Sequence, residues 1–231
     1  SVLNPKQVGC DYPFKELSGS GIIFKLVQGM IKKRNKNINI INKTINFAML
    51  GTISDMVPLI DENRLIIYFG LKNIFRTKNI GLKKILKNIK SKSSISTFDL
   101  SYNVLPKINS IARFGNPNKI IDFFTTNDKK KINQLYSEIE QINNTRLKIQ
   151  NYVLNDVYNF INTNLDLKKE KIIICFSKNW NYGILGLIAS KIRNEFRRPV
   201  ILISFNDLGI GRGSARSVEG FDLLDAFKFV K

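Results

Sequence analysis

An aspartate set between two apolar segments is a costly use of charge. Asp55 follows the run Ile45, Phe47, Ala48, Met49 and Leu50 and precedes Met56, Val57 and Pro58. A carboxylate held at the end of a buried element suits metal ligation. The competing account is a helix cap, since Pro58 stops a helix and caps favour Asp. A second group lies in Leu105-Pro-Lys-Ile-Asn109-Ser-Ile-Ala-Arg113-Phe-Gly115. Here Arg113 taken alone reads as one half of a surface salt bridge, although a guanidinium also matches phosphodiester oxygens in geometry and charge. The third group is Gly211-Arg-Gly-Ser-Ala-Arg-Ser217. Its small residues expose backbone N–H groups, and Arg212, Ser214, Arg216 and Ser217 add donors, which together suit phosphate oxygens. A Gly-rich hairpin with solvated arginines would leave the same pattern. Trp180 adds an aromatic face on which a base could stack.

The elements that must hold these groups follow from periodicity. Pro5 and Pro13 keep the start extended, and Ser18-Gly-Ser-Gly21 reads as a turn into a helix. Ile22, Ile23, Leu26, Val27, Met30 and Ile31 give that helix its apolar face. Residues 34–43, rich in Asn and Lys, read as a loop. Asp61-Glu-Asn starts a helix carrying Leu65, Ile66, Phe69 and Ile74, residues 81–89 form a short helix, and 91–97 a Ser-rich loop. Residues 128–162 contain neither Gly nor Pro, and Ile132, Leu135, Ile139, Ile142, Ile149, Val153 and Phe160 step by threes and fours. That pattern predicts one long amphipathic helix, a connector between domains or, as the competing account, a homodimer seam. From Lys171 the period changes: buried strand 171–176, a turn from Trp180 to Gly183, helix 184–196 and buried strand 199–205 form a βαβ unit with a parallel pair. The fold class is therefore α/β.

Composition narrows the function. The 231 residues are 43% hydrophobic, a globular proportion, and carry a formal net charge of +19. A polyanionic partner accounts for that charge; so does coding bias, since Lys, Asn and Ile are all abundant. Cys10 and Cys175 are too far apart in sequence to read as a disulfide framework, and Cys175 falls in an apolar run, so both read as free thiols of a reducing compartment. No apolar run is long enough to span a membrane, and the expectation is a soluble, cytoplasmic protein. The chain has no histidine, and Asp61 and Glu62 are accounted for as helix-start residues.

Taken together, these motifs resemble the RecJ family of the DHH phosphoesterase superfamily. Gly51-Thr-Ile-Ser-Asp55-Met-Val-Pro-Leu59 with Glu62-Asn-Arg64 is similar to the superfamily's fourth motif, which implies that Asp55 is a metal ligand. The stretch from Leu105 to Gly115 resembles the family segment whose polar positions, here Asn109 and Arg113, face the scissile phosphate; Ala112 replaces the usual Gly. Trp180-x-x-Gly183, Gly186-x-x-Ala-Ser190, Arg197-Arg-Pro-Val200 and Gly213-Ser-x-Arg-Ser217 resemble the DHH-associated domain, with Asn181 where the family has His. The resemblance implies the helical C-terminal part of a DHH domain (1–127), a connecting helix (128–165) and the start of an associated nucleic-acid-binding domain (166–231). The DHH triplet would precede Ser1 and a Gly-Gly-His motif would follow Lys231, so an internal piece is expected.

The implied function is a single-strand-specific 5′–3′ DNA exonuclease of repair and recombination. It would use a two-metal Mn²⁺ or Mg²⁺ centre completed by residues outside this chain, with single-stranded DNA as partner and a monomer as the expected state. Strand-holding roles fall on Arg212, Ser214, Arg216, Ser217, Trp180 and Gly183. An oligonucleotide or cyclic-dinucleotide phosphodiesterase of the same superfamily, or a non-catalytic single-strand-binding remnant, is the alternative.

Overall fold

Helices build the first part of the chain and a small sheet the second. The computed structural model describes residues 3–34, 39–87, 89 and 94–229. In order come α1 (Gly19–Lys33), α2 (Asn39–Ser54), α3 (Asp61–Ile74), α4 (Ile80–Leu86), α5 (Thr97–Asp99), a π-turn (Leu100–Val104), α6 (Leu105–Phe114), α7 (Asn118–Thr125) and α8 (Lys129–Asn164). Then follow β1 (Ile173–Ser177), α9 (Tyr182–Phe196), β2 (Val200–Phe205), β3 (Gly211–Arg216) and α10 (Leu223–Phe229). The chain divides into two compact units, Ser1–Asn143 and Asn144–Lys231.

The core of the first unit is apolar and centred on α2. Met49, Ile74, Leu82, Leu100, Val104, Ile111 and Phe123 are fully buried in one cluster. Ser18 caps α1, its Oγ accepting from Gly21 N, so the Ser-Gly-Ser-Gly stretch is the helix's first turn and not a turn before it. The apolar face expected of α1 is also displaced. Phe24 and Gly21 are buried, whereas Ile23, Leu26 and Met30 are exposed. Residues 39–43 belong to α2 instead of a loop, and 91–93 of the Ser-rich loop lie outside the described residues. Thr97 to Phe114 run on as helix through the π-turn. Pro106 explains the irregularity, because it has no N–H to give the preceding turn; Leu105 N–H instead bonds back to Leu100 O.

α8 is the predicted long helix, 36 residues long. Asp128 Oδ1 starts it by accepting from Lys130 N at 2.8 Å. Its buried residues fall into two sets, Ile132, Leu135, Tyr136, Ile139 and Asn143, then Val153, Leu154, Val157 and Ile161. No residue of 144–152 is buried, and the division between the units falls at its start. Most of the stripe expected as a connector or dimer seam is therefore spent inside the two units themselves.

In the second unit β1 and β2 pair in parallel, Ile173 opposite Val200, as the βαβ pattern predicts. β3 then pairs antiparallel to β2, with Arg216 opposite Val200 and Gly211 opposite Phe205. Only one sheet face is fully covered: Ile173, Cys175, Val200 and Leu202 are buried while Ile174 and Phe176 stay exposed. The expectation of fully buried strands is corrected accordingly. By local preference β3 is a loop, since Gly and Ala have low strand propensity. It is a strand because small residues are required there: a Cβ on Gly213 would sit 2.7 Å from Leu202 O.

Candidate functional site

The two units each gather one set of the singled-out residues. In the first, α2 ends at Ser54, and Asp55 N–H still donates to Gly51 O at 2.9 Å. Met56 then turns the chain at φ 52. The return loop is tied by Asn63, whose Nδ2 donates to Pro58 O at 2.9 Å and to Glu16 O at 2.7 Å. Thr52 and Ile53 are buried, but Asp55 is exposed.

Asp55 caps nothing. The N-cap of α3 is Ile60, with no side-chain cap bond. At the C-terminal end of α2 the helix dipole opposes a carboxylate, by about 0.3–1 kcal/mol. Its carboxylate makes no hydrogen bond or ion pair with a described residue.

α6 reaches this corner through Asn109, whose Nδ2 donates to Ser54 Oγ at 3.2 Å. Arg113 lies one helical turn on, hence on the same side of α6, and is exposed. Asn109 is thus brought to the corner that follows α2, although it lies 54 positions after Asp55 in sequence, and Arg113 lies one turn further along α6.

A two-ion centre does not fit the described residues. No group of three or more His, Cys, Asp or Glu side chains is placed to share an ion among them. Glu62 is committed elsewhere: Tyr12 Oη donates to its Oε2 at 2.6 Å and Lys25 Nζ to its Oε1 at 2.6 Å. Burial, followed by the bond to Glu62, raises the Tyr12 pKa.

In the second unit the groups sit where β3 packs on α9. Arg212, Ser214 and Arg216 alternate with glycine and alanine, so they share one face of the strand. Arg216 is held on three sides: Nε donates to Ser190 Oγ at 3.0 Å, and Nη1 to Ser214 Oγ at 3.2 Å and to Ala215 O at 2.7 Å. Gly186 makes room for it, since a Cβ there would stand 2.9 Å from Arg216 Nη2. Arg212 is exposed, with its guanidinium carbon 5.7 Å from the centre of the Tyr182 ring. Ser217 Oγ donates to Phe221 O, within the turn after β3.

Trp180 requires a correction. It is buried, its indole N–H donates to Asp156 Oδ2 at 2.6 Å, and its carbonyl accepts from Ser204 Oγ at 2.6 Å. Its ring is core and offers no face for a base. The exposed aromatic at this place is Tyr182, which no motif in the sequence singles out. Asn181, where the resembling family has His, is the N-cap of α9 and its Oδ1 accepts from Gly183 N at 2.8 Å. An Asn just before a helical run is an N-cap signal that the sequence did carry.

Residues 169–230, which hold the β1–α9–β2–β3–α10 segment, match the DHHA1 domain family. The chain as a whole is similar to RecJ proteins. It is 32% identical to the single-stranded-DNA-specific exonuclease RecJ of Bacillus subtilis, over 98% of this chain and 28% of that protein. It is 30% identical to RecJ of Haemophilus influenzae, over 99% of this chain and 42% of that protein. The chain therefore spans less than half the length of these relatives. The crystal structure of RecJ from Thermus thermophilus in complex with Mg²⁺ superposes at a TM-score of 0.81, with 22% identity over 94% of this chain and 33% of that one. A manganese-bound RecJ superposes at 0.77, with 23% identity over 94% of this chain and 53% of that one. The mixed α/β fold is thus that of RecJ.

Proposed function

We propose that this chain is part of a metal-dependent, single-strand-specific DNA exonuclease that digests 5′ to 3′ in repair and recombination, and is monomeric and cytoplasmic. Among the described residues no helix is long and apolar enough to cross a membrane. The first unit acts as the C-terminal part of a DHH domain (1–127), α8 as the connector (128–165) and the DHHA1 segment (166–231) as the strand-holding domain. Asp55 is one ligand for Mn²⁺ or Mg²⁺, the ions named for the RecJ structures it resembles. Asn109 and Arg113 meet the scissile phosphate. Arg212, Ser214 and Arg216 hold the sugar–phosphate backbone, with Ser217 and the Gly183 backbone beside them. Trp180 supports α9 from beneath and does not stack.

The observation that carries this reading is Asp55 itself. Among the described residues it is an unpartnered carboxylate, placed against the helix dipole, next to a serine bonded to Asn109. One carboxylate cannot hold two divalent ions against water, so the 231-residue chain is expected to bind single-stranded DNA without hydrolysing it. The test is end-labelled single-stranded DNA with Mn²⁺. Joined to a segment carrying the DHH triplet, the chain should degrade it, and Asp55→Ala should stop degradation while binding persists. Degradation by the joined protein that survives Asp55→Ala would contradict the assignment of Asp55, and degradation by the 231 residues alone would contradict the reading that they lack a complete centre.

A further inference from the structure

The end of α2 opposite Asp55 carries an unassigned surface of a different kind. Two adjoining clefts, about 450 and 530 Å³, share Asn42, Asn73 and Arg76. The first has an apolar floor of Phe24, Ile45 and Ile66 with Phe69 at its side, and Lys72 and Arg76 on its rim. The second is lined by Lys43, Arg76 and Lys78 among asparagines, with no acid among its described lining. The single acid of the first cleft, Glu62, is already bonded to Lys25 and Tyr12. Lys43, Lys72, Arg76 and Lys78 are exposed and make no ion pair with a described residue.

Two aromatic rings precede one of these cations, Lys72, on α3, and Arg76 and Lys78 follow the end of that helix. Tyr68 and Phe69 are 50% and 51% exposed, their ring centres 5.1 Å apart. Lys72 sits one turn on, its Nζ 4.3 Å from the centre of the Tyr68 ring. Exposed rings interleaved with backbone-neutralising cations are what a single strand uses, bases stacking and phosphates pairing. α2 spans about 20 Å between Asn42 and Asp55 at 1.5 Å per residue, so the cationic end of this surface is separate from the Asp55 corner, although the first cleft reaches Glu62 at the start of α3.

We propose that the α2–α3 clefts form a second contact for single-stranded nucleic acid, in which Phe69 stacks on a base and Lys43, Lys72, Arg76 and Lys78 pair with phosphates. The inference rests on the single-strand reading above only for the identity of the ligand.

The test is fluorescence anisotropy of labelled oligo(dT) with the full 231-residue chain. Lys72→Glu/Arg76→Glu should weaken binding roughly 10-fold and flatten the log–log salt dependence by about 0.7 per lost phosphate contact. Phe69→Ala should weaken oligo(dT) several-fold and leave an abasic oligomer of equal length unaffected. All three side chains are exposed, so melting curves should overlay that of the parent chain. An oligo(dT) isotherm unmoved by Lys72→Glu/Arg76→Glu but weakened by Arg212→Glu would overturn this inference alone. A parent chain that binds no oligo(dT) would overturn the DHHA1 strand-holding reading as well. Poly-glutamate binding abolished by the double variant, with oligo(dT) unaffected, would make the surface a peptide site and also overturn the proposal.

Discussion

Asp55 and Arg216 are both charged residues set among small or apolar neighbours, and the fold treats them in opposite ways. Arg216 is tied by three hydrogen bonds to α9, its neighbour Ser214 and its own strand, with Gly186 opened to seat it. Asp55 stands exposed beyond a buried helix with no partner among the described residues. A tethered guanidinium is preorganised but also structural, so its removal costs stability and function together. An untethered carboxylate can be removed without loosening the core. Motif matching alone treats the two residues alike.

Variants that break this contrast differ widely in expected size. Trp180→Ala should have the largest effect, about 3–5 kcal/mol for emptying a buried aromatic site, read as a fall in the melting temperature of the second unit. A stable variant that has lost only strand binding would restore Trp180 to a stacking role. Arg216→Ala comes next. It should lower stability by about 1.5–3 kcal/mol, the range for bonds to a charged group, and weaken strand binding as well; melting and binding curves measured on one preparation separate the two.

Alkaline pH should act on the second unit. Burial pushes the Cys175 thiol up to about 12. Burial, and then the hydrogen bond to Glu195, pushes Tyr158 up to about 12. Both groups are held neutral by the fold. Their contribution is complete below the unfolded values, about 8.5 for Cys and 10 for Tyr, and is lost as pH rises from there through about 12. In the first unit Glu140 has the opposite sense. Its own burial works against the shift, but the bond from Lys107, aided by Tyr136 and the Lys107 charge, holds the pKa below the ordinary value. That contribution is present above the unfolded value and lost as pH falls through the folded one. Melting followed across pH should show the second unit failing in base, with Tyr158→Phe flattening that limb.

Much of this molecule is legible without its fold. The 3.6-residue stripe marks α8 to within two residues at each end, and the change of period marks the parallel β1–β2 pair. What sequence cannot supply is which side of each element meets the core. α1 and α3 carry apolar residues on more than one side, so Leu26, Leu65 and Phe69 look like core and are exposed. β3 escapes a reading of local preference because its glycines report the closeness of β2, a tertiary fact. At the candidate site, the resemblance to the RecJ motifs is what points to Asp55, Asn109 and Arg113. That Asn109 bonds Ser54, or that Trp180 spends its N–H on Asp156, depends on elements far apart in the chain.

The contrast rests most directly on Asp55, and the smallest expected effect is the one that tests it. Thermal melting of Asp55→Asn should match the parent chain or exceed it, by up to about 1 kcal/mol once the charge opposing the α2 dipole is gone. A clear loss of stability in Asp55→Asn would mean that the carboxylate holds the fold together, and the account of Asp55 as a group kept free for phosphodiester chemistry would be wrong.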